Sequence, residues 1–217
     1  MIFIDGANIF NHIREMNDKI VYENLRLPPE QKRDKMGINY VKLVEEIAKG
    51  REVIRTYFFD GVQEPTPPSR EGFFNSLRQK GITVITRPLR KKEINCLKCN
   101  LYKDIKEQRE LSGATITPFN QSGDGRILTF RQEFQKGVDV ALVTELLRMA
   151  REGVYDTAVV ISGDNDYKNA VDCVKSMGKR VEVASFKEAL GRDLKEVADK
   201  LIYIDNIFDK IKRTIQR

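Results

Sequence analysis

The sequence holds one histidine, three cysteines and no apolar run long enough to cross a bilayer. Each scarcity removes a class of function. With His12 as the sole imidazole, a His-based hydrolase drops out of consideration; the residue reads as partly packed helix surface. Cys96, Cys99 and Cys173 are too few for a secreted disulfide framework. The pair in NCLKCN is half a zinc site, since a closed structural site needs four ligands and no second Cys or His pair follows. A homodimer would supply Cys96 and Cys99 twice, but two reduced thiols are the default expectation. Cys173, in VDCVKSM, reads as the buried side of a helix, where cysteine behaves as a small hydrophobe. The first apolar stretch is short and lacks a basic leader, unlike a signal peptide. The expectation is therefore a cytoplasmic chain with no membrane partner. No G-x-G-x-x-G follows the first strand, which disfavours a dinucleotide-binding fold. There is no internal repeat and no low-complexity tract.

What is present suits one domain, or one domain with an insertion. The 217 residues are 41% hydrophobic and 32% charged, enough apolar material for a core. The formal charge is +6, from 38 basic and 32 acidic residues, a modest excess compatible with a polyanionic partner. Its distribution says more: between Arg87 and Glu110 eight Lys or Arg face four Asp or Glu.

Along the chain, strands and helices alternate. MIFID reads as a buried strand and is followed by a helix from about Ala7 to Met16. Residues 17–38 look irregular, with LPPEQKRDKMG charged and Pro-containing. NYVKLVEEIAKG has helical spacing, EVIRTYFFDG is β-rich, SREGFFNSLRQKG is amphipathic, and ITVITRPL is a third strand. From Arg90 to Lys136 the pattern breaks into a polar, basic segment, read as an insertion or elaborated crossover. Alternation resumes with VDVALVTELLRMAREG, TAVVIS, DNDYKNAVDCVKSMG and RVEVASF. Residues 187–217 read as a C-terminal extension: a short helix, the strand-like KLIYI, and a tail with Ile207, Phe208, Ile211 and Ile215 at helical spacing. Such alternation implies an α/β three-layer sandwich with a mainly parallel central sheet. In that architecture the strands' carboxyl ends share one edge, where ligands bind.

Acids are delivered to that edge. IFID ends in Asp5, YFFD in Asp60, and VVISGDND carries Asp164 and Asp166. A further acid, Asp139, opens the helix before TAVVIS, and the strand-end argument alone does not place it on that rim. Crowded carboxylates raise one another's pKa unless a cation sits among them. Aspartates without histidine or thiolate are the ligands that Mg²⁺ or Mn²⁺ favours, rather than zinc. Each acid also has an ordinary role. Asp139, Asp164 and Asp166 suit helix starts, and Asp5-Gly6 and Asp60-Gly61 suit turns. Asp60 reads as structural. The conjunction of Asp5, Asp164 and Asp166 after strongly apolar strands favours a site.

FIDGANIFN, KGVDVALVTELL and YDTAVVISGDNDYKNAV with GKRVEVAS resemble, in order and spacing, the NYN domain family (LabA-like) of the PIN-like nuclease superfamily. The resemblance runs from Met1 to about Phe186, within one PIN-like domain spanning residues 1–217. It implies a Rossmannoid parallel sheet with an acidic pocket at its carboxyl edge, binding Mg²⁺ or Mn²⁺. It also implies cleavage of RNA or other single-stranded nucleic acid. On that resemblance Asp5, Asp139, Asp164 and Asp166 hold one or two ions, some through water. Asn8 orients water or the scissile phosphate and Ser162 assists; Lys136, in the KGVD motif, reads equally as a phosphate contact or as solvated surface charge. RPLRKK, with Arg87, Arg90, Lys91 and Lys92, reads either as a solvated surface or as a path for a nucleic-acid backbone, the latter favoured inside an insertion to a nuclease, with Tyr102 and Phe119 as stacking candidates.

The expected function is a metal-dependent ribonuclease. The alternative is a noncatalytic RNA-binding or regulatory protein on the same fold. A haloacid-dehalogenase-type phosphatase also opens on a strand-end aspartate but needs a second two residues on, where this chain has Ala7.

Overall fold

A computed structural model describes residues 1–28, 31–96, 115–118, 128–134 and 137–215, with the backbone path alone for 91–96, 115–118 and 128–134. The elements run β1 (Ile2–Asp5), α1 (Gly6–Asn24), β2 (Lys35–Ile38), α2 (Tyr40–Ala48), β3 (Thr56–Val62), α3 (Pro68–Gln79) and β4 (Ile82–Pro88). Next come β5 (Arg90–Cys96), β6 (Thr115–Pro118), β7 (Leu128–Phe134), α4 (Val138–Arg151), β8 (Thr157–Ile161), a 3₁₀ turn (Asn165–Tyr167) and α5 (Lys168–Ser176). The chain ends with β9 (Arg180–Ser185), α6 (Arg192–Val197), β10 (Lys200–Tyr203), a 3₁₀ turn (Ile204–Ile207), α7 (Phe208–Ile211) and β11 (Lys212–Ile215).

Six strands form one parallel sheet in the order β10-β9-β8-β1-β3-β4. Side chains alternate across it, as the period of two demands. Ile2 and Ile4 join Phe58, Val159 and Ile161 on the face covered by Ile9, Leu43, Ile47, Phe74 and Leu77 of α1, α2 and α3. Phe3 joins Tyr57, Phe59, Ala158 and Val160 on the other face, under Leu142 and Leu146 of α4, Val171 and Val174 of α5, and Leu194 of α6. The three-layer α/β expectation holds. The chain leaves β1 toward β3 and β4, then returns to β8 on the opposite side of β1. The sheet's switch point is thus the crevice between β1 and β8, where such folds bind ligands.

The segment after β4 forms an antiparallel sheet of its own, β5-β7-β6. Three local readings need correction. Residues 17–38 are not irregular throughout: α1 continues to Asn24, burying Ile20, and β2 follows, so the strand ITVITRP is fourth rather than third in chain order. The tail is not one amphipathic helix, because after a single turn at α7 it becomes β11 and pairs antiparallel with β2. Cys173 is exposed on α5, since Val171 and Val174 take the inward face. Among the described residues no helix is long and apolar enough to cross a membrane.

Candidate active site

The turn from β1 into α1 has almost no room. Asp5 is the helix N-cap, with extended backbone (φ −80°, ψ 98°) and its Oδ1 accepting from the Asn8 amide at 3.1 Å. A Cβ at Gly6 would lie 2.5 Å from the Phe58 ring and 2.8 Å from the Phe59 carbonyl oxygen. Only glycine lets the helix start so close to the sheet.

Asp5 is 4% exposed, and three more groups converge on it. Ser162, just past β8, donates its hydroxyl to Oδ2 at 2.9 Å, and the Tyr167 hydroxyl lies 3.3 Å from the same oxygen. That phenol also lies 3.0 Å from Oδ1 of Asp139, in the first turn of α4. Burial pushes the Asp5 carboxyl up to about 6; its hydrogen bonds oppose this and the Asp139 charge adds to it. Burial and the same two acids raise the Tyr167 phenol as well, keeping it a donor. One proton cannot satisfy two carboxylates fully, so negative charge is left over between them.

Asn8 clamps the two strand ends together: its Oδ1 accepts from the Gly163 amide at 3.1 Å. The Ser162 hydroxyl in turn accepts from the Asp164 amide at 3.2 Å. Asp164 caps the following 3₁₀ turn through the Asp166 amide at 3.0 Å. Asn165 accepts from Asp193 and Leu194, capping α6. A side chain at Gly163 would run into the Ala189 carbonyl, so the loop is pressed between α1 and the segment after β9.

Asp5, Asn8, Asp139, Ser162 and the backbone of Asp164 thus meet in one linked group, while Asp164 is half-buried and Asp166 exposed beside it. Among the described residues no three acids, histidines or cysteines stand close enough to form a metal cage by themselves. The Asp5–Asp139 pair nevertheless fits Mg²⁺ or Mn²⁺, which is commonly held by one or two carboxylates completed by water and substrate phosphate. All the donors are oxygen, with excess negative charge to neutralise.

Tyr167 escaped the sequence reading because a tyrosine three residues past Asp164 looks like an ordinary core position. Asp60 is the structural acid it was expected to be: buried, donated to by the Gly61 amide, and ion-paired with Arg70 of α3. Arg70 in turn lies over Phe10, 4.2 Å from its ring centre. Of the basic candidates, Arg87 is exposed near the carboxyl end of β4 and Arg90 is exposed at the start of β5. Lys136, Cys99, Tyr102 and Phe119 lie outside the described residues, as do the side chains of Lys91, Lys92 and Cys96. His12 is half-buried on α1, stacked on Phe186.

The model of the NYN domain family matches residues 1–205. Low amplitude and bright protein LabA of Synechococcus elongatus is 22% identical over 214 residues, covering 98% of this chain and 87% of that protein. Protein y4oD of Sinorhizobium fredii is 37% identical over 57 residues, 26% of this chain and 27% of its own. A crystal structure of a Vibrio parahaemolyticus protein of unknown function superposes with a TM-score of 0.56 at 17% identity, covering 94% of this chain and 92% of that one. That likeness speaks for the fold alone.

Proposed function

The chain belongs to the NYN domain family, and from that premise we propose that it is a metal-dependent ribonuclease, hydrolysing phosphodiester bonds of RNA or other single-stranded nucleic acid. One observation carries the reading. Asp5 and Asp139, far apart in the chain, share a single phenol at the sheet's switch point. A buried carboxylate with a raised pKa facing a second acid costs stability, and acids perturbed in this way cluster at functional sites.

In this reading Asp5 and Asp139, with Asp164 and Asp166 beside them, would hold the ion, Mg²⁺ or Mn²⁺. Bound there, the ion supplies Lewis-acid polarisation of water and of a phosphate oxygen. Ser162 and the Asn8 amide fix both oxygens of Asp5, so the carboxylate does not reorient as charge develops. Tyr167 fixes Asp139 relative to Asp5. With its Oδ1 engaged by Gly163, Asn8 turns its amide donors to a phosphate oxygen without adding negative charge. Arg87, Arg90, Lys91, Lys92 and Lys136 take the flanking phosphates.

The test incubates labelled single-stranded and structured RNA with Mn²⁺, Mg²⁺ or chelator. Products that need the ion and vanish in Asp139→Asn support the reading. RNA that stays intact under every condition, yet is bound, replaces it with the noncatalytic RNA-binding alternative.

A further inference from the structure

A pocket of about 410 Å³ opens along α1, away from the acids, and the nuclease reading assigns it no role. Its floor is apolar, with Met16, Ile20, Met36, Phe186 and Phe208 among the lining residues. An aromatic column rises at one end. Phe208 meets Phe186 edge-on at 5.7 Å, and Phe186 stacks on His12 at 4.2 Å with the rings 24° apart. His12 lines the pocket and is only half-buried, so the column ends in a fixed ring with surface to offer.

The rim is polar but not basic. Lys19 pairs with Glu188 at 3.8 Å, Arg33 pairs with Glu23, and Asp205 accepts from the Lys187 amide at 2.8 Å. Two cations against three acids do not make a phosphate site. The exposed Lys19–Glu188 pair is weak enough to exchange partners. A pocket of this volume with an apolar floor, a ring to stack on and both donors and acceptors at its mouth suits a neutral heteroaromatic.

Two chain segments that border the pocket run back to the candidate active site. His12 lies one turn of α1 beyond Asn8, about 6 Å along the axis, and Asn8 holds the Gly163 amide. Phe186 begins the segment that returns to that loop, where the Gly191 amide donates to the Gly163 carbonyl at 2.7 Å. The His12 end of the pocket therefore lies one helical turn from Asn8, the residue proposed to meet the phosphate.

We infer that the pocket between α1, β2 and the segment after β9 binds the unpaired base of a nucleotide next to the scissile phosphate, stacked on His12. This rests on the proposed nuclease for the phosphate position and names its substrate more narrowly: a strand unpaired at that nucleotide. A base held in a duplex cannot enter.

The experiment uses a short unstructured RNA and a set in which one nucleotide at a time is made abasic. Affinity is measured in Ca²⁺ and cleavage in Mn²⁺. One abasic position should weaken binding to the wild-type chain roughly ten- to hundredfold, and His12→Ala should bind intact and abasic RNA alike. Independently, 4-thiouridine at that position should photocrosslink the wild-type chain at residues lining the pocket. An abasic penalty that persists in His12→Ala, with crosslinks elsewhere, overturns the assignment. So does cleavage indifferent to every abasic substitution, and that result leaves the nuclease standing. The expected binding pattern without any cleavage leaves the pocket standing and removes the nuclease. Absence of binding removes both.

Discussion

The Tyr167 hydroxyl stands between two carboxylates, 3.3 Å from Asp5 and 3.0 Å from Asp139. It is the only direct side-chain link, among the described residues, between acids that lie more than a hundred positions apart in the chain. Tyr167→Phe keeps the ring, which is fully buried, and removes only the oxygen. The fold should survive with a loss of about 1 kcal/mol. Affinity for Mn²⁺ should fall roughly ten- to hundredfold, the usual cost of losing a group that orients a ligand. Isothermal titration with the variant reads this directly; unchanged affinity would mean that the phenol does not position the acids.

Asp5→Asn should make the metal-free chain more stable and inactive. The carboxyl has a pKa of 3.8 in the unfolded chain and about 6 when folded. Between those values the folded state keeps a proton that the unfolded state has released. Stability therefore falls as pH rises through this window, and the full penalty remains above it. The size is roughly 3 kcal/mol. The amide keeps an acceptor for the Asn8 amide and carries no charge to bury. Melts of wild type and variant should separate near neutral pH and converge below the window.

Divalent ions should reverse that penalty. At a hundredfold excess over Kd, binding adds about 2.7 kcal/mol, a rise in Tm of about 5–10 °C for a chain of this size. Mn²⁺ should produce that rise in the wild type and little in Asp139→Asn. The rise should shrink as pH falls through about 6, where protons compete for Asp5. Equal shifts in wild type and variant would place any bound ion elsewhere.

These contrasts show which parts of the molecule were legible in the sequence. The strands of the main sheet announce themselves as apolar runs, and Asp5 and Asp164 follow two of them directly. Neighbouring strands then force those acids together. Asp139 is different, because the start of α4 reaches the site only through the packing of that helix on β1 and β3, which no local pattern encodes. Tyr167 resembles core, and it is core, apart from one oxygen. β2 and β11 were lost for another reason. KMGI and KRTI are short, the second is exposed throughout, and they are stabilised by each other, so neither carries a periodicity of its own. In the tail, Ile211 turns inward at helical spacing, but pairing with β2 takes over from Lys212.

Beside the site, Arg70 and Asp60 should behave as one unit. Asp60 is 2% exposed; burial pushes its carboxyl up, and Arg70 and the Gly61 amide pull it back. Arg70 is held over Phe10, with Phe74 and Phe73 at 5.2 and 5.5 Å from its guanidinium carbon. Arg70→Ala strands a buried acid and opens space among three rings, so it should cost about 3–5 kcal/mol. Arg70→Lys should recover only part of this, because an ammonium cannot lie flat on Phe10 while bonding Asp60. Asp60→Asn combined with Arg70→Met removes both charges and keeps the volume, and should return most of the stability. Urea unfolding of the wild type, Asp60→Asn, Arg70→Met and the double variant gives the coupling directly. If Arg70→Ala and the double variant are equally destabilised, the loss lies in ring packing and the ion pair contributes nothing. Because Asp60 takes no part in the proposed chemistry, the double variant should still cut RNA with Mn²⁺, separating this buried acid from Asp5.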